Sequence, residues 1–321
     1  MKFSVIIPLY NKAPYVAKAI NSVLAQSFTD YELVVVDDGS KDDSFEIAQK
    51  AIEGHVQCQL YRQQNAGVSM ARNNGVALSH GEYLCFLDAD EWWEPTFLEE
   101  MNKLVAEFPD AGIYGTSYTY VNETKHKTGV ASICVETNFE RGYINYCQVY
   151  AKTLAMPLTS ISVAIPRSVF ENTNGFPKGI KLGEDFMLWI RIALNYKVVF
   201  LNKPLAYYNQ DVDVANRGVG RLYRPQEHML WNVGFLAEEE KNNSDYKQLI
   251  DNLRTYSLYP YYLSDDYHEA AKQELKKVDW NRQPKKVRKK YEKPLAILRF
   301  ENVIRRFGSG IKQKIFALLR N

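Results

Sequence analysis

Two carboxylates stand one residue apart at Asp88-Ala89-Asp90, directly after the apolar run Tyr83-Leu84-Cys85-Phe86-Leu87. At the end of a buried strand such a pair can hold a divalent cation beside a diphosphate, and hard oxygen ligands suit Mg2+ or Mn2+. The cation would neutralise charge that builds on a nucleoside-diphosphate leaving group. A solvated turn or a helix cap would use the same residues. A second acidic set closes Val34-Val35-Val36-Asp37-Asp38-Gly39-Ser40. Its carboxylates can accept hydrogen bonds from a base or from ribose hydroxyls. They also suit a turn in which Gly39 supplies positive φ and Ser40 caps the next helix. A third segment, Asn65-Ala66-Gly67-Val68-Ser69-Met70-Ala71-Arg72-Asn73, reads as a capped helix that carries Arg72 toward a nucleotide. A fourth, Gly183-Glu184-Asp185, opens a helix with two acids. The helix dipole favours them there, and either could serve as a general base for a sugar hydroxyl, whose own pKa is high.

The elements that must position these residues alternate over the first 110 positions. Apolar runs at Phe3 to Pro8, Leu33 to Val36, Val56 to Tyr61 and Tyr83 to Leu87 predict strands. Helical periodicity covers Tyr15 to Ala25, Asp43 to Ile52, Val68 to Ser79 and Pro95 to Phe108. Continuous apolar strands separated by helices predict a mostly parallel sheet covered on both faces, with right-handed crossovers. Ligands of such sheets sit at the carboxyl ends of the strands. Tyr10, Asn11, Asp37, Asp38, Asn65, Asp88 and Asp90 all fall there and so share one rim. Strands are expected from Ala111 to about Val135, a helix from Leu182 to Asn195, and short strands at Lys197 to Leu201 and Leu205 to Tyr208. Residues 136–160 give no clear pattern. Asp211 to Arg224 reads as a mobile polar loop, and the chain from Pro225 onward reads as helical. Neither G-x-G-x-x-G after the first strand nor G-x-x-x-x-G-K-[ST] occurs, which argues against a dinucleotide site and a P-loop.

Taken in order, Ser4-Val5-Ile6-Ile7-Pro8-Leu9-Tyr10-Asn11, Val36-Asp37-Asp38-Gly39-Ser40, Asn65-x-Gly67-x-Ser69-x-Ala71-Arg72-Asn73, Asp88-Ala89-Asp90 and Glu184-Asp185 resemble family 2 glycosyltransferases of the GT-A fold. The resemblance covers roughly residues 3 to 210. It implies a metal-dependent, inverting transfer of a hexosyl or N-acetylhexosaminyl group from a nucleotide sugar, by default a UDP-sugar. In its terms Pro8, Tyr10, Asp38, Asn65 and Arg72 lie on the nucleotide, with Asp88 at the donor. Asp88 and Asp90 hold Mn2+ or Mg2+, with Asp90 the direct ligand. Asp185 is the catalytic base, beside Glu184. It further implies an acceptor hydroxyl on a glycan or lipid-linked molecule, in surface polysaccharide synthesis of a bacterium. The family often closes a basic or His-containing segment over the diphosphate. Asn216-Arg217-Gly218-Val219-Gly220-Arg221 occupies that region without a His, so Arg217 or Arg221 is expected at the phosphates.

Two rival readings remain at this point. A sugar nucleotidyltransferase shares the sheet and Mg2+ but carries a Gly-rich loop after strand one, unlike Pro8-Leu9-Tyr10-Asn11. A non-catalytic nucleotide- or carbohydrate-binding protein could keep the scaffold, against which the intact Asp88, Asp90 and Asp185 speak.

The 321-residue chain carries 46% hydrophobic residues and a net charge of +2. That balance is uneven: positions 282–320 hold 13 Lys/Arg against 2 Asp/Glu, which leaves an acidic body with a basic tail. Leu295, Leu298, Val303, Phe307, Ile311, Ile315, Leu318 and Leu319 interleave with these charges at helical spacing. Such a helix can lie in a membrane interface, pack on the protein or contact a second copy. No nucleic-acid motif is present. Cys58, Cys85, Cys134 and Cys147 form no C-x-x-C pair and read as free thiols of a reducing compartment. No signal peptide and no stretch of ~18 apolar residues is seen, so the expectation is a cytoplasmic protein, peripheral on the inner membrane face. The expected domains are a catalytic domain over 1–224, split into a nucleotide half (1–110) and an acceptor half (111–224), and a helical region over 225–321.

Overall fold

The computed structural model describes residues 1–122, 124–133, 135–136, 138–211 and 221–304. The chain divides into two compact units, Met1–Ala237 and Glu238–Asn321. The first begins with β1 (Phe3–Leu9), α1 (Val16–Leu24), β2 (Tyr31–Asp37), α2 (Ser44–Ile52), β3 (Cys58–Arg62), α3 (Val68–Ala77) and β4 (Tyr83–Phe86). Every residue of β1 and β2 is buried, as a sheet covered on both faces demands. Helix α1 buries Val16, Ala19, Ile20 and Val23, one stripe at helical spacing. Helix α3 packs so closely that a Cβ on Gly75 would lie 2.4 Å from Ile6 Cγ2.

β5 (Trp92–Trp93), α4 (Phe97–Glu107), β6 (Ala111–Asn122), β7 (Lys127–Val130), β8 (Arg141–Ile144) and α5 (Tyr146–Thr153) follow. They lead to β9 (Val163–Pro166), α6 (Arg167–Asn172), α7 (Glu184–Asn195), β10 (Lys197–Asn209) and α8 (Met229–Asn232). The sheet runs β3-β2-β1-β4-β9-β6-β10-β5, with β7 beside β6 and β8 beside β10. The chain thus forms the expected α/β fold of GT-A type, a central sheet flanked by helices. Pairing is parallel from β3 through β4 and again between β6 and β10. Strand β9 enters between β4 and β6 antiparallel to both, so the halves share one sheet.

The order places β2 on one side of β1 and β4 on the other, which makes the β1/β4 seam the topological switch point. The β1–β4 ladder stops at Ile6–Phe86, while β1 continues to Leu9 beside β2. Ile6 turns its carbonyl to the β4 side and Leu9 to the β2 side. By the two-residue period, Pro8 faces the side where β4 has ended, so its missing N–H breaks no ladder bond. The seam opens into a crevice there.

Several elements differ from the sequence reading. The two short strands expected before Tyr208 are one strand, β10, whose register slips around Pro204 because proline cannot donate to the ladder. The stretch 136–160, which gave no clear pattern, holds β8 and α5, and β9 with α6 lies just beyond it, where the sequence reading assigned no element. The loop expected at 211–224 lies mostly outside the described residues, as do Cys134 and the tail positions from Phe307 onward.

The second unit is helical, with α10 (Ser244–Ser257), α11 (Tyr259–Leu263), α12 (His268–Leu275) and α13 (Lys285–Tyr291), preceded by α9 (Ala237–Asn242) at the division. Its α10 buries Leu249, Ile250 and Leu253 together with Arg254. The guanidinium of Arg254 is compensated by Glu240 at 2.5 and 2.9 Å and by Asp251 at 3.4 Å. Paired in this way, a buried cation is tolerated.

Candidate active site

The crevice at the switch point is bordered by the loops after β1 and β4. After β1, Asn11 adopts φ of +50°, a left-handed step that Asn tolerates better than most residues. That turn is fixed from the β2 loop. Asn11 N donates to Ser40 Oγ at 3.0 Å, Lys41 N donates to Asn11 Oδ1 at 2.8 Å, and Lys12 N donates to Ser44 Oγ at 2.7 Å. The Lys12 side chain then crosses the crevice, and its ammonium meets Asp90 Oδ2 at 2.7 Å, both groups largely buried.

The other carboxylate of the pair, Asp88, is held by Arg72 from α3. Arg72 Nη2 donates to Asp88 Oδ1 at 2.6 Å and to Ser160 Oγ at 3.2 Å, while Nη1 donates to Glu184 Oε1 at 3.1 Å. The Arg72 side chain is only 3% exposed. Burial disfavours its charge, but the carboxylates of Asp88 and Glu184 outweigh that and hold it firmly protonated. One buried cation therefore joins the D-x-D pair to the Glu-Asp pair, which comes from the far half of the sheet.

Glu184 and Asp185 owe their place to Gly183. This residue has φ of +82°, and a Cβ there would meet Met229 Sδ at 2.3 Å, so only glycine fits the approach to α7. Asp185 accepts a hydrogen bond from Phe186 N at 2.7 Å. Burial and the like charge of Glu184 raise its pKa to about 7, against the opposing pull of Arg72. Burial, with the charges of Asp88 and Asp90, also raises Glu91 well above the usual carboxylate range.

The remaining sequence-predicted residues divide into two groups. Tyr10 and Asn65 are exposed at the rim, and Pro8 is buried in β1 at the edge of the crevice. Asp38 is buried, and its carboxylate accepts from Gln63 Nε2, Ala66 N and Gly67 N, each at 2.8 Å. Asn65 Nδ2 donates to the Asp38 carbonyl at 2.9 Å. Asp38 thus braces the loop that carries Asn65, while Asp37 accepts from Arg62 Nε at 2.7 Å. Arg221 Nε donates to Tyr223 Oη at 2.7 Å, and its partner in expectation, Arg217, lies outside the described residues. Sequence reasoning missed Lys12, Glu91 and Ser160. Lys12 could have been found as a cation two residues past Tyr10 on the same strand end, and Glu91 as the third acid after Asp88-Ala89-Asp90. Ser160 carried no signal.

A divalent cation suits this donor set within limits. Among the described residues no group of three or more His, Cys, Asp or Glu is arranged to hold a metal ion. Two carboxylates are nonetheless a usual protein contribution where diphosphate oxygens complete the shell. Asp88, Asp90 and Glu184 alone outnumber the two cations, Lys12 and Arg72, that pair with them.

Residues 4–172 match the family model described as glycosyl transferase family 2. The chain belongs to that family. Over 215 residues it is 33% identical to the glycosyltransferase GlyA of Streptococcus pneumoniae, a match covering 64% of this chain and 30% of GlyA. An uncharacterised glycosyltransferase of Rickettsia typhi is 28% identical over 243 residues, 74% of this chain and 72% of that one. The chain spans only about a third of the length of the curated relatives that lead the comparison, such as GlyA. Among solved structures, residues 1–349 of Staphylococcus aureus TarS in complex with UDP-GlcNAc superpose with a TM-score of 0.69 at 20% identity. That match covers 86% of this chain and 79% of TarS 1–349, and it shows the fold.

Proposed function

We propose that this family 2 member is an inverting glycosyltransferase that moves a sugar from a nucleoside-diphosphate donor to a hydroxyl of a glycan or lipid-linked acceptor. The observation that carries the reading is the Arg72 bridge. It brings Asp88, a donor-side carboxylate, and Glu184, the neighbour of Asp185, onto one buried cation at the switch-point crevice. Donor chemistry and acceptor chemistry need such opposed carboxylates within one site.

In this reading Asp185 takes the proton of the attacking hydroxyl, and a pKa of about 7 suits a base working near neutral pH. Asp90 and Asp88 would hold Mn2+ or Mg2+, which supplies neutralising charge for the diphosphate. Tyr10 and Asn65 offer exposed edges to the nucleotide, with Pro8 and the Asp38-braced loop behind them, while Arg72 keeps Asp88 and Glu184 oriented. A UDP-sugar is the preferred donor. The TarS complex holds UDP-GlcNAc, which makes that donor the first to try. The acceptor role in surface polysaccharide synthesis rests on the family resemblance.

The test is a nucleotide-sugar screen with Mn2+ or Mg2+ that reads release of free nucleoside diphosphate. Turnover of one donor by the wild type, lost in Asp90→Ala and Asp185→Asn, is expected. Tight donor binding without turnover, even with glycan and lipid-linked acceptors supplied, would favour the non-catalytic reading. No binding to any nucleotide sugar would refute both.

The tail gives a second part to this reading, a peripheral membrane contact. Helical turns over 295–304 bury Leu298 but leave Ile297, Phe300, Val303 and Ile304 exposed by 47 to 65%. Seven Lys/Arg stand between positions 285 and 299. Apolar exposure beside dense positive charge suits an anionic lipid interface. No helix of the described residues is long and apolar enough to cross a membrane. Co-sedimentation with phosphatidylglycerol vesicles but not phosphatidylcholine vesicles, weakened by Phe300→Ser with Ile304→Ser, is the expected result.

A further inference from the structure

Lys12 lies outside every motif that drew attention in the sequence, yet it makes the contact that closes the switch-point crevice. Its ammonium reaches Asp90 Oδ2 at 2.7 Å, with 16% of the lysine side chain and 15% of the aspartate side chain exposed. The backbone does not leave this to chance. Lys12 N is held by Ser44 Oγ, and Asn11 before it is tied on both sides to the β2 loop. The lysine is thus aimed from a braced turn at the carboxylate that the transferase reading makes the direct ligand of a divalent cation.

A divalent cation and an ammonium held on one carboxylate repel each other. At about 4 Å their repulsion amounts to a factor of about thirty in affinity even with the full screening of water, and more in a partly buried site. Arg72 does not face this conflict, since it is pinned at Asp88, Glu184 and Ser160 together. Among the described residues Lys12 has a single side-chain hydrogen-bond partner, Asp90, and a flexible stem, so it is the cation that can move. When it leaves Asp90 it still needs an anion, and a diphosphate brought to the same crevice supplies one.

Resting on the transferase reading above, we propose that Lys12 is the exchangeable counter-ion of Asp90. In the free protein it neutralises Asp90. When a metal–diphosphate enters, Lys12 yields that carboxylate to the cation and re-pairs with a diphosphate oxygen. The exchange keeps the crevice near charge balance with and without donor. It also makes cation and diphosphate bind together better than either alone, because only the diphosphate gives the displaced ammonium a new partner. No bond is made or broken.

The two halves of this exchange have opposite signs for one substitution. In Lys12→Met, Mn2+ alone, measured by electron paramagnetic resonance of the free ion, is expected to bind at least about tenfold tighter, because its competitor is gone. In the presence of saturating Mn2+, the nucleoside diphosphate is expected to bind at least about tenfold weaker, because a charge-assisted contact is lost. UDP, GDP and dTDP are tried on the wild type, and the tightest serves as probe. Lys12→Arg retains the charge and is expected to stay near the wild type in the diphosphate arm, and thermal unfolding of each variant confirms that it is folded. Mn2+ binding that is unchanged or weaker in folded Lys12→Met overturns the proposal, as does undiminished nucleoside-diphosphate binding. If the wild type binds none of the three nucleotides, the transferase reading fails instead, a result separable from the Mn2+ arm.

Discussion

Asp185 gives the sharpest quantitative expectation. Burial and Glu184 raise its pKa to about 7, so about one tenth of it is ionised at pH 6 and about nine tenths at pH 8. A general base must be ionised to act. The quantity kcat/KM, which reports the free enzyme, is therefore expected to rise about tenfold from pH 6 to pH 8. An ordinary aspartate titrates near 3.9 and would give a flat line over that range. The assay is release of nucleoside diphosphate across pH 5 to 9 at fixed ionic strength, with a pH-insensitive coupling readout. Asp88 also contributes like charge to Asp185, so a higher Mn2+ concentration is expected to move the break downward. The same shift bears on stability. Because folding raises this pKa, the native state holds the proton more tightly, and the resulting stability is present at low pH and lost as pH rises through about 7. Asp185→Asn is thus expected to abolish turnover and yet raise Tm at pH 8, with a smaller gain at pH 5 and none at pH 3, because the loss in the wild type begins at the unfolded pKa near 3.9. A flat kcat/KM between pH 6 and 8, or a Tm that falls in Asp185→Asn at pH 8, refutes the reasoning.

Two further perturbations follow from the packing around that residue. Arg72→Met removes a buried cation from two half-buried carboxylates; losing one partner of a fully buried pair costs about 3–5 kcal/mol, an upper bound here because the Asp88 side chain is 31% exposed. Thermal unfolding is expected to show that loss, and in any folded fraction the pH break of Asp185 is expected to move up, since Arg72 opposes the rise. Gly183→Ala places a Cβ 2.3 Å from Met229 Sδ at φ of +82°. It is expected to lower kcat by an order of magnitude or more while leaving donor binding close to normal, because the strain falls on Glu184 and Asp185; Met229→Ala in the same chain is expected to recover part of the loss.

Much of this site was legible before the fold was known, for identifiable reasons. Strands β1 and β2 are buried on both faces, so their continuous apolar runs announce themselves, and the polar residues at their ends, Tyr10 and Asn11 after β1 and Asp37 and Asp38 at the end of β2, follow directly. Asp88 and Asp90 were singled out from type and position, and Asp185 over Glu184 from the family resemblance. Their arrangement was not legible, since nothing local says that Arg72 spans from Asp88 to Glu184. That contact depends on β9 entering antiparallel between β4 and β6, and β9 has only four residues. Asp38 shows the same limit. Its sequence context suits a ligand contact or a turn, while the three donors from residues 63–67 are a tertiary fact. Lys12 was missed because a lone lysine in a loop has no periodicity, and its meaning lies in the partner 78 positions away.

The Arg72 bridge also divides the site by its freedom to change. Asp88, Glu184 and Arg72 form a lock in which altering one member leaves the others wrongly charged. Tyr10 stands exposed at the solvent edge outside that lock, whereas Asn65, also exposed, is tied through its amide to the Asp38 carbonyl. A redesign of donor choice therefore has a natural place to work. Libraries at Tyr10, Gln64 and Ala66 can vary what the rim accepts, while the charged interior and the side chains that brace Asp38 stay untouched.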